Sequence, residues 1–327
     1  MPEMTVIEAV REALWEEMER DPNVFTLGED IGARGGVFLA TEGFLDRFGP
    51  GRVIDTPIAE ASIGGIALGA SVNGMRPVAE IEFGDFIWPA VNQVIGEAAR
   101  VRYGTEGRRN APLVLRVPYG GGVRGGLFHS QSIEVAFSHQ PGLKVLAPAT
   151  PYDAKGLLKS AIRDDDPVIF FEHKRTYRLV KGDVPRGDYI IPIGKADIKR
   201  KGGDITVVSY GLVLHYCLEA AATLAQEGID VEVVDLRTLR PLDTDTLLES
   251  VRKTSKAMVV HEDTKAGGIG GEIAAVIAEE AFEDLDAPVM RIAGPEVPAM
   301  PFSPLLEAQF MPSAEKIAAA IRDLAAY

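Results

Sequence analysis

What most restricts the folds open to this chain is an alternation. Short apolar runs, NVFTL, RPVAEIEF, PLVLRV, LKVLAP and PVIFFEH, recur between segments whose apolar residues repeat at helical spacing. Strands separated by helices pair in the same direction, because a parallel neighbour is reached only through a crossover, and the helices then cover both faces of the sheet. The first helix is announced by Thr5 with Glu8 three residues on, a capping box, followed by Val6, Val10, Leu14 and Met18 on one face. Thr150, Pro151 and Asp153 supply the cap, first position and first turn of another helix, which runs to about Arg163.

From Lys174 to Asp204 the pattern thins into polar chain dotted with Gly and Pro, interrupted by the short apolar run IIPIG. Alternation then resumes with DITVVSYG, a helix from about Val213 to Gln226, DVEVVDLR, a helix after Pro241, KAMVVHE, the helix EIAAVIAEEAF, APVMRIAG, and a last helix capped at Ser313. The expectation is an α/β protein of two doubly wound domains, residues 1–186 and 204–327, joined by a linker at 187–203. A chain of 327 residues with a 46% hydrophobic fraction supports two such cores.

Charge narrows the partners. Lys and Arg number 34 against 48 Asp and Glu, a net charge of -14, so the global field repels nucleic acid and anionic membrane surfaces. Cys217 is the single cysteine, which excludes an internal disulfide and any thiolate-cluster metal site. No run approaches the roughly 18 to 20 apolar residues of a membrane span. The opening MPEMTVIEAV lacks the basic region and apolar run of a signal peptide. The expected compartment is the cytoplasm.

The stretch GGGVRGGLFHSQS, Gly120 to Ser132, carries the densest motif. Gly120, Gly122 and Gly125 satisfy the GxGxxG spacing of a dinucleotide fold, which also needs an acid at the end of the next strand, about 20 residues on. That strand, LKVLAPAT, ends without one, and the last glycine is followed by Leu-Phe-His-Ser-Gln rather than a helix start. The nucleotide reading is therefore discounted. His129 remains, at the end of a glycine loop after a strand, where open α/β sheets place their ligands. No GxxxxGK[ST], GxSxG, HExxH or CxxC occurs.

Two further features are open to alternative readings. In EASIGGIALGAS each glycine costs roughly 1 kcal/mol of helix propensity. Such a helix either packs closely on another helix or subunit, or lies crowded under a sheet. Glu60, at its head, is either a first-turn carboxylate favoured by the helix dipole or a carboxylate in a dry site that shares a proton with a ligand. Gly267, Gly268, Gly270 and Gly271 read as a flexible connection into a helix. His139 and His215 on helices, and His173 and His261 at strand ends, read as satisfied or solvated.

Taken together, DTPIAEASIGGIALGAS, VAEIEFGDFIWPAVNQVIGEAARVRYG, GGGVRGGLFHSQS, PGLKVLAPATPYDAKGLLKSAIRDDDPVIFFEHKRTYR and VEVVDLRTLRPLD resemble the beta subunit of the thiamine-diphosphate-dependent 2-oxo acid dehydrogenase component. The resemblance covers nearly the whole chain. It implies a transketolase-like pyrimidine-binding domain followed by the transketolase C-terminal domain. It makes Glu60 the partner of an aminopyrimidine ring nitrogen, Phe86 the aromatic packed on the pyrimidine, and His129 the histidine facing thiazolium and substrate. Glu60 and His129 are thereby the catalytic candidates, and Glu60, Phe86 and His129 the cofactor-binding ones.

The GDG motif through which such enzymes hold Mg²⁺ on the diphosphate is missing; Gly84-Asp85-Phe86 is the nearest stretch. The resemblance therefore implies that an alpha subunit brings Mg²⁺ and half of the cofactor site, in an α2β2 heterotetramer. It also implies a structural potassium site at the carbonyls of Leu113, Ala161 and Ile162 with Asp164 and Asp166, although SAIRDDDP also reads as a solvated acidic turn. The activity implied is oxidative decarboxylation of a 2-oxo acid and acyl transfer to lipoyl groups of a core acyltransferase, with branched-chain substrates preferred over pyruvate. The alternatives are the C-terminal subunit of a split transketolase and, from another class, a non-catalytic scaffold subunit.

Overall fold

The computed structural model describes residues 1–327. The chain forms two compact units, Met1–Tyr119 with Ala136–Ile193, and Gly120–Val135 with Gly194–Tyr327. The glycine loop, which chain order alone leaves within residues 1–186, thus packs with the second unit.

The first unit holds β1 (Glu3–Thr5), β2 (Val24–Glu29), β3 (Val53–Thr56), β4 (Arg76–Glu80), β5 (Val114–Tyr119), β6 (Lys144–Leu146), β7 (Val168–His173) and β8 (Lys181–Asp183). Parallel pairing gives the order β6-β7-β5-β4-β2-β3, while β1 and β8 form a separate antiparallel pair. Every residue of β5 and β7 is buried, as parallel strands covered on both faces require. Helices Val6–Arg20 and Pro151–Arg163 pack together, with Val10, Leu14, Leu157, Leu158 and Phe170 in one core. Both carry the caps expected of them: Glu8 accepts the Thr5 N–H at 2.8 Å, and Thr150 Oγ1 accepts the Asp153 N–H at 3.2 Å.

The stretch after β4 departs from a simple strand and helix. Gly84 to Gly104 is a succession of short 3-10, π and α turns, in which Pro89 withdraws one N–H. The small-residue helix Glu60–Ser71 lies against it, and a Cβ at Gly64 would stand 3.2 Å from Ala90 Cβ. Close approach within the chain explains Gly64, whereas Gly69 faces open space.

At the centre of the sheet sits a buried charge cluster. Arg116 on β5 is 2% exposed and donates to both oxygens of Glu172 on β7, at 2.6 and 2.7 Å, and to Glu80 on β4. Tyr177 Oη donates to Glu172 at 2.6 Å. Burial pushes the Glu80 carboxyl up while Arg116 pulls it down.

The second unit holds β9 (Asp197–Arg200), β10 (Ile205–Ser209), β11 (Val231–Asp235), β12 (Thr238–Arg240), β13 (Ala257–Thr264) and β14 (Met290–Gly294). One sheet runs β14-β13-β10-β11-β9, parallel except for β9 at its edge. The expected helices lie at Gly211–Ala225, Thr244–Thr254, Ile269–Glu280 and Ala314–Ala325. His261 falls inside β13 rather than at its end, and His139 just after a short helix. Gly268 and Gly270 are steric clearance and not slack: a Cβ at either would come within 2.7 Å of the His261 ring. Burial first, then Arg291, pushes that imidazole down to about 4. No helix is long and apolar enough to cross a membrane.

The Arg116 cluster yields a contrast between two substitutions. Arg116→Met leaves two buried carboxylates without their cation and is expected to cost about 3–5 kcal/mol in urea unfolding at pH 7. Glu80→Gln leaves the Arg116–Glu172 pair intact, so its loss is expected to be well under half of that.

Candidate active site

The carboxyl ends of three neighbouring strands of the first unit carry acids. β2 ends in Glu29 and is followed by Asp30; the chain after β3 reaches Glu60, first residue of its helix; the chain after β4 reaches Glu82. Because β2 lies between β3 and β4, all three issue from one edge of the sheet. Burial raises the Glu29 carboxyl, with Asp30 and Glu60 adding to the effect. Burial also pushes Glu82 up to about 7, reinforced by Glu29, Asp30 and Glu80 and opposed by Arg34. A carboxyl raised to about 7 exchanges protons near neutrality.

Phe86 follows Glu82 and is half-buried, its ring edge to face with Phe83 at 6.2 Å. Phe83 is held in turn by Phe38 at 5.6 Å and by Lys174 Nζ, 6.0 Å from its ring. Glu60 opens the small-residue helix, and Phe86 closes the turn Gly84–Phe86 just before the turns from Trp88 that pack on that helix. Glu60 and Phe86 stand out in the sequence, whereas Glu29 and Glu82 do not. The signal for those two is an acid at the last turn of each strand, in FTLGED and AEIEF.

His129 belongs to the second unit. It ends the 3-10 turn Gly126–Phe128 and is half-buried. Leu127 and Phe128, just before it, are exposed. A Cβ at Gly125 would fall 2.7 Å from the His129 carbonyl oxygen, so the backbone folds tightly back on this residue.

Around the residues expected to bind potassium, the oxygens are in use. Lys144 Nζ lies 2.7 and 2.6 Å from the two Asp164 carboxylate oxygens and 3.5 Å from Asp166, which also pairs with Arg102. Arg76 donates to the carbonyls of Ile162 and Asp164, at 3.0 and 2.8 Å. The Leu113 and Ala161 carbonyls accept the N–H groups of Val168 and Asp164. The donor set suits a hard cation in kind, and the charges of Asp164 and Asp166 are met here by Lys144 and Arg102. The acidic turn is paired rather than merely solvated, and each carbonyl keeps a second lone pair.

Residues 2–180 match the transketolase pyrimidine-binding domain and residues 194–317 the transketolase C-terminal domain. A solved structure described as a split gene transketolase, an inactive beta4 tetramer, superimposes with a TM-score of 0.81 at 26% identity, over 99% of this chain and 98% of that one. Two parallel α/β units with an acid-lined sheet edge thus define a transketolase-like chain.

Its nearer relatives narrow the class. The 2-oxoisovalerate dehydrogenase subunit beta of Bacillus subtilis is 56% identical over 100% of both chains. The pyruvate dehydrogenase E1 component subunit beta of the same organism is 50% identical over 93% of each. The beta subunit of the Cupriavidus necator acetoin:2,6-dichlorophenolindophenol oxidoreductase is 48% identical over 96% of this chain and 95% of that one. The chain belongs to the family of beta subunits of thiamine-diphosphate-dependent 2-oxo acid dehydrogenases.

The raised Glu82 carboxyl predicts a pH dependence with a definite sign. A carboxyl raised on folding stabilises the fold fully below its ordinary value of 4.5, and that contribution is lost as pH rises through about 7. Glu82→Gln is therefore expected to raise the thermal unfolding midpoint relative to wild type at pH 8.5, and to raise it much less at pH 5.5. Scanning calorimetry at the two pH values checks this; solvent screening of a half-buried group keeps the gain small.

Proposed function

We propose that this chain, with an alpha subunit in an α2β2 assembly, catalyses oxidative decarboxylation of a 2-oxo acid and acyl transfer to lipoyl groups of a core acyltransferase. By chain order, the pyrimidine-binding domain is assigned to residues 1–186, the linker to 187–203 and the C-terminal domain to 204–327. The observation that carries the reading is the placement of Glu60 beside Glu29, on a helix packed against the turns that follow Phe86, in a chain that has no GDG. When bound, thiamine diphosphate supplies the carbanion that adds to the 2-oxo group and holds the electrons left by CO₂.

This chain's own residues do the rest on the pyrimidine side. Glu60 would hydrogen-bond a pyrimidine ring nitrogen, with Glu29 close enough for the two charges to interact. Phe86 would offer its ring as an apolar platform, kept upright by Phe83. His129 would face the acyl group and its lipoyl acceptor. Mg²⁺ and the diphosphate are left to the alpha subunit, and a structural potassium ion would take the oxygens of Leu113, Ala161, Ile162, Asp164 and Asp166.

An alpha partner also accounts for exposed apolar surface around these residues. Ile58 is 73% exposed and Trp88 51% exposed, and Ile66 and Gly69 stand open on the helix that Glu60 begins. Apolar surface gathered beside a site marks a contact with another chain. We place the assembly in the cytoplasm, where the buried thiol of Cys217 stays reduced.

Branched-chain 2-oxo acids are the preferred substrates; the support is 56% identity to the 2-oxoisovalerate enzyme subunit against 50% to the pyruvate one. Reconstituted with the alpha subunit, the complex is expected to show a higher kcat/KM for 2-oxoisovalerate than for pyruvate. Glu60→Gln in that complex is expected to lower decarboxylation by about 100-fold or more. CO₂ release from each labelled 2-oxo acid measures both, and unimpaired release by the variant removes the role given to Glu60.

A further inference from the structure

The glycine loop looked like an anion cradle, and its amides do hold anions, supplied by the chain itself. Gly120, Gly122 and Arg124 have φ of +86°, +76° and +59°, alternating with ordinary residues so that successive N–H groups turn to one side. The Gly121 N–H donates to Glu262 Oε1 at 2.6 Å. The Gly122 and Arg124 N–H groups donate to Glu307 Oε1 at 2.9 and 3.0 Å. Glu262 lies on β13 and is 2% exposed; Glu307 lies on the short helix Pro304–Phe310 and is 6% exposed.

The far side of the loop returns to the same anchors. Ser132 Oγ donates to Glu262 Oε1 at 2.9 Å, so one carboxylate oxygen ties residue 121 to residue 132. The Gly120 N–H meets the Gln131 carbonyl at 3.0 Å, and Gln131 Oε1 accepts the Met300 N–H at 3.2 Å. Met300 and Met311 close over Gly121, where a Cβ would come within 2.5 Å of Met300 Cε. His129 sits between the two tied ends. Both anchors are buried, whereas the turn that leads into His129 is presented outward.

A glycine-rich segment without such anchors would sample many conformations, because glycine restricts the backbone least. A buried carboxylate that accepts two N–H bonds removes that freedom, and charge-assisted bonds of this kind are among the stronger ones. We propose that Glu262 and Glu307 are positioning residues, fixed anions around which Gly120–Arg124 is wrapped so that His129 is delivered in one place. The inference rests on reading His129 as the residue that faces the acyl transfer.

The test uses the full chain reconstituted with the alpha subunit. Glu307→Ala is expected to lower lipoyl-domain acylation by about tenfold while 2-oxo acid decarboxylation with an artificial electron acceptor changes less than about twofold. In a His129→Ala background the same substitution is expected to add no further loss, since two residues acting as one unit are not additive. Glu307→Gln, which keeps an acceptor oxygen, is expected to recover most of the activity. Equal losses in both assays, or full additivity with His129→Ala, would overturn the positioning role.

Amide hydrogen exchange on the full chain provides the readout that does not depend on activity. Gly122 and Arg124 are expected to lose protection in Glu307→Ala, and Gly121 in Glu262→Ala. Unchanged protection overturns the proposal whatever the kinetics. Lost protection in a wild-type-like fold that never acylates a lipoyl domain instead sinks the reading of His129, so the two failures are told apart.

Discussion

The Arg116 cluster is the constraint on which the first unit is organised. β4, β5 and β7 are buried strands of one parallel sheet, and a guanidinium in their midst is tolerable only with anions beside it. Register supplies them: Glu80 stands opposite Arg116, and Glu172 lies two residues beyond Phe170, its other neighbour, on the same face. A shift of one residue in either strand would turn a carboxylate to the opposite face and leave the cation unpaired. The cluster therefore selects one register, and with it the place where each strand ends.

Those strand ends carry the acids proposed to face the cofactor. Two carboxylates against one guanidinium leave an excess negative charge near β4, and Glu80 is among the groups that raise Glu82. Glu29 and Glu82, whose carboxyls are both raised, share that edge with Glu60. The aromatic side of the site is built by the same economy of position, with Phe38, Phe83 and Lys174 holding the segment that ends in Phe86.

The glycine clusters show how similar sequence serves opposite ends. In GGGVRGGLFHSQS the glycines permit left-handed turns whose amides face Glu262 and Glu307. In the stretch before Ile269 they make room for the imidazole of His261. Neither is a nucleotide cradle. Nearby, burial and Asp263 raise the Glu134 carboxyl, which accepts a hydrogen bond of 2.6 Å from Tyr210.

Much of this was legible in the sequence. The alternation of apolar runs and helical periods determined a parallel α/β architecture in two blocks, because period and buried strand content are local properties. Thr5, Thr150 and Ser313 placed helix starts, since a cap is satisfied within one turn. Glu60, Phe86 and His129 were visible through the company they keep in dense motifs. The tertiary structure alone decided the rest: that Gly120–Val135 packs with the second unit, that Lys144 and Arg76 hold the oxygens expected to take potassium, that Glu29 and Glu82 join Glu60, and that Glu262 and Glu307 hold the His129 loop. Each of these pairs residues far apart along the chain, by charge and hydrogen bonds that exist only once strand order and register are set.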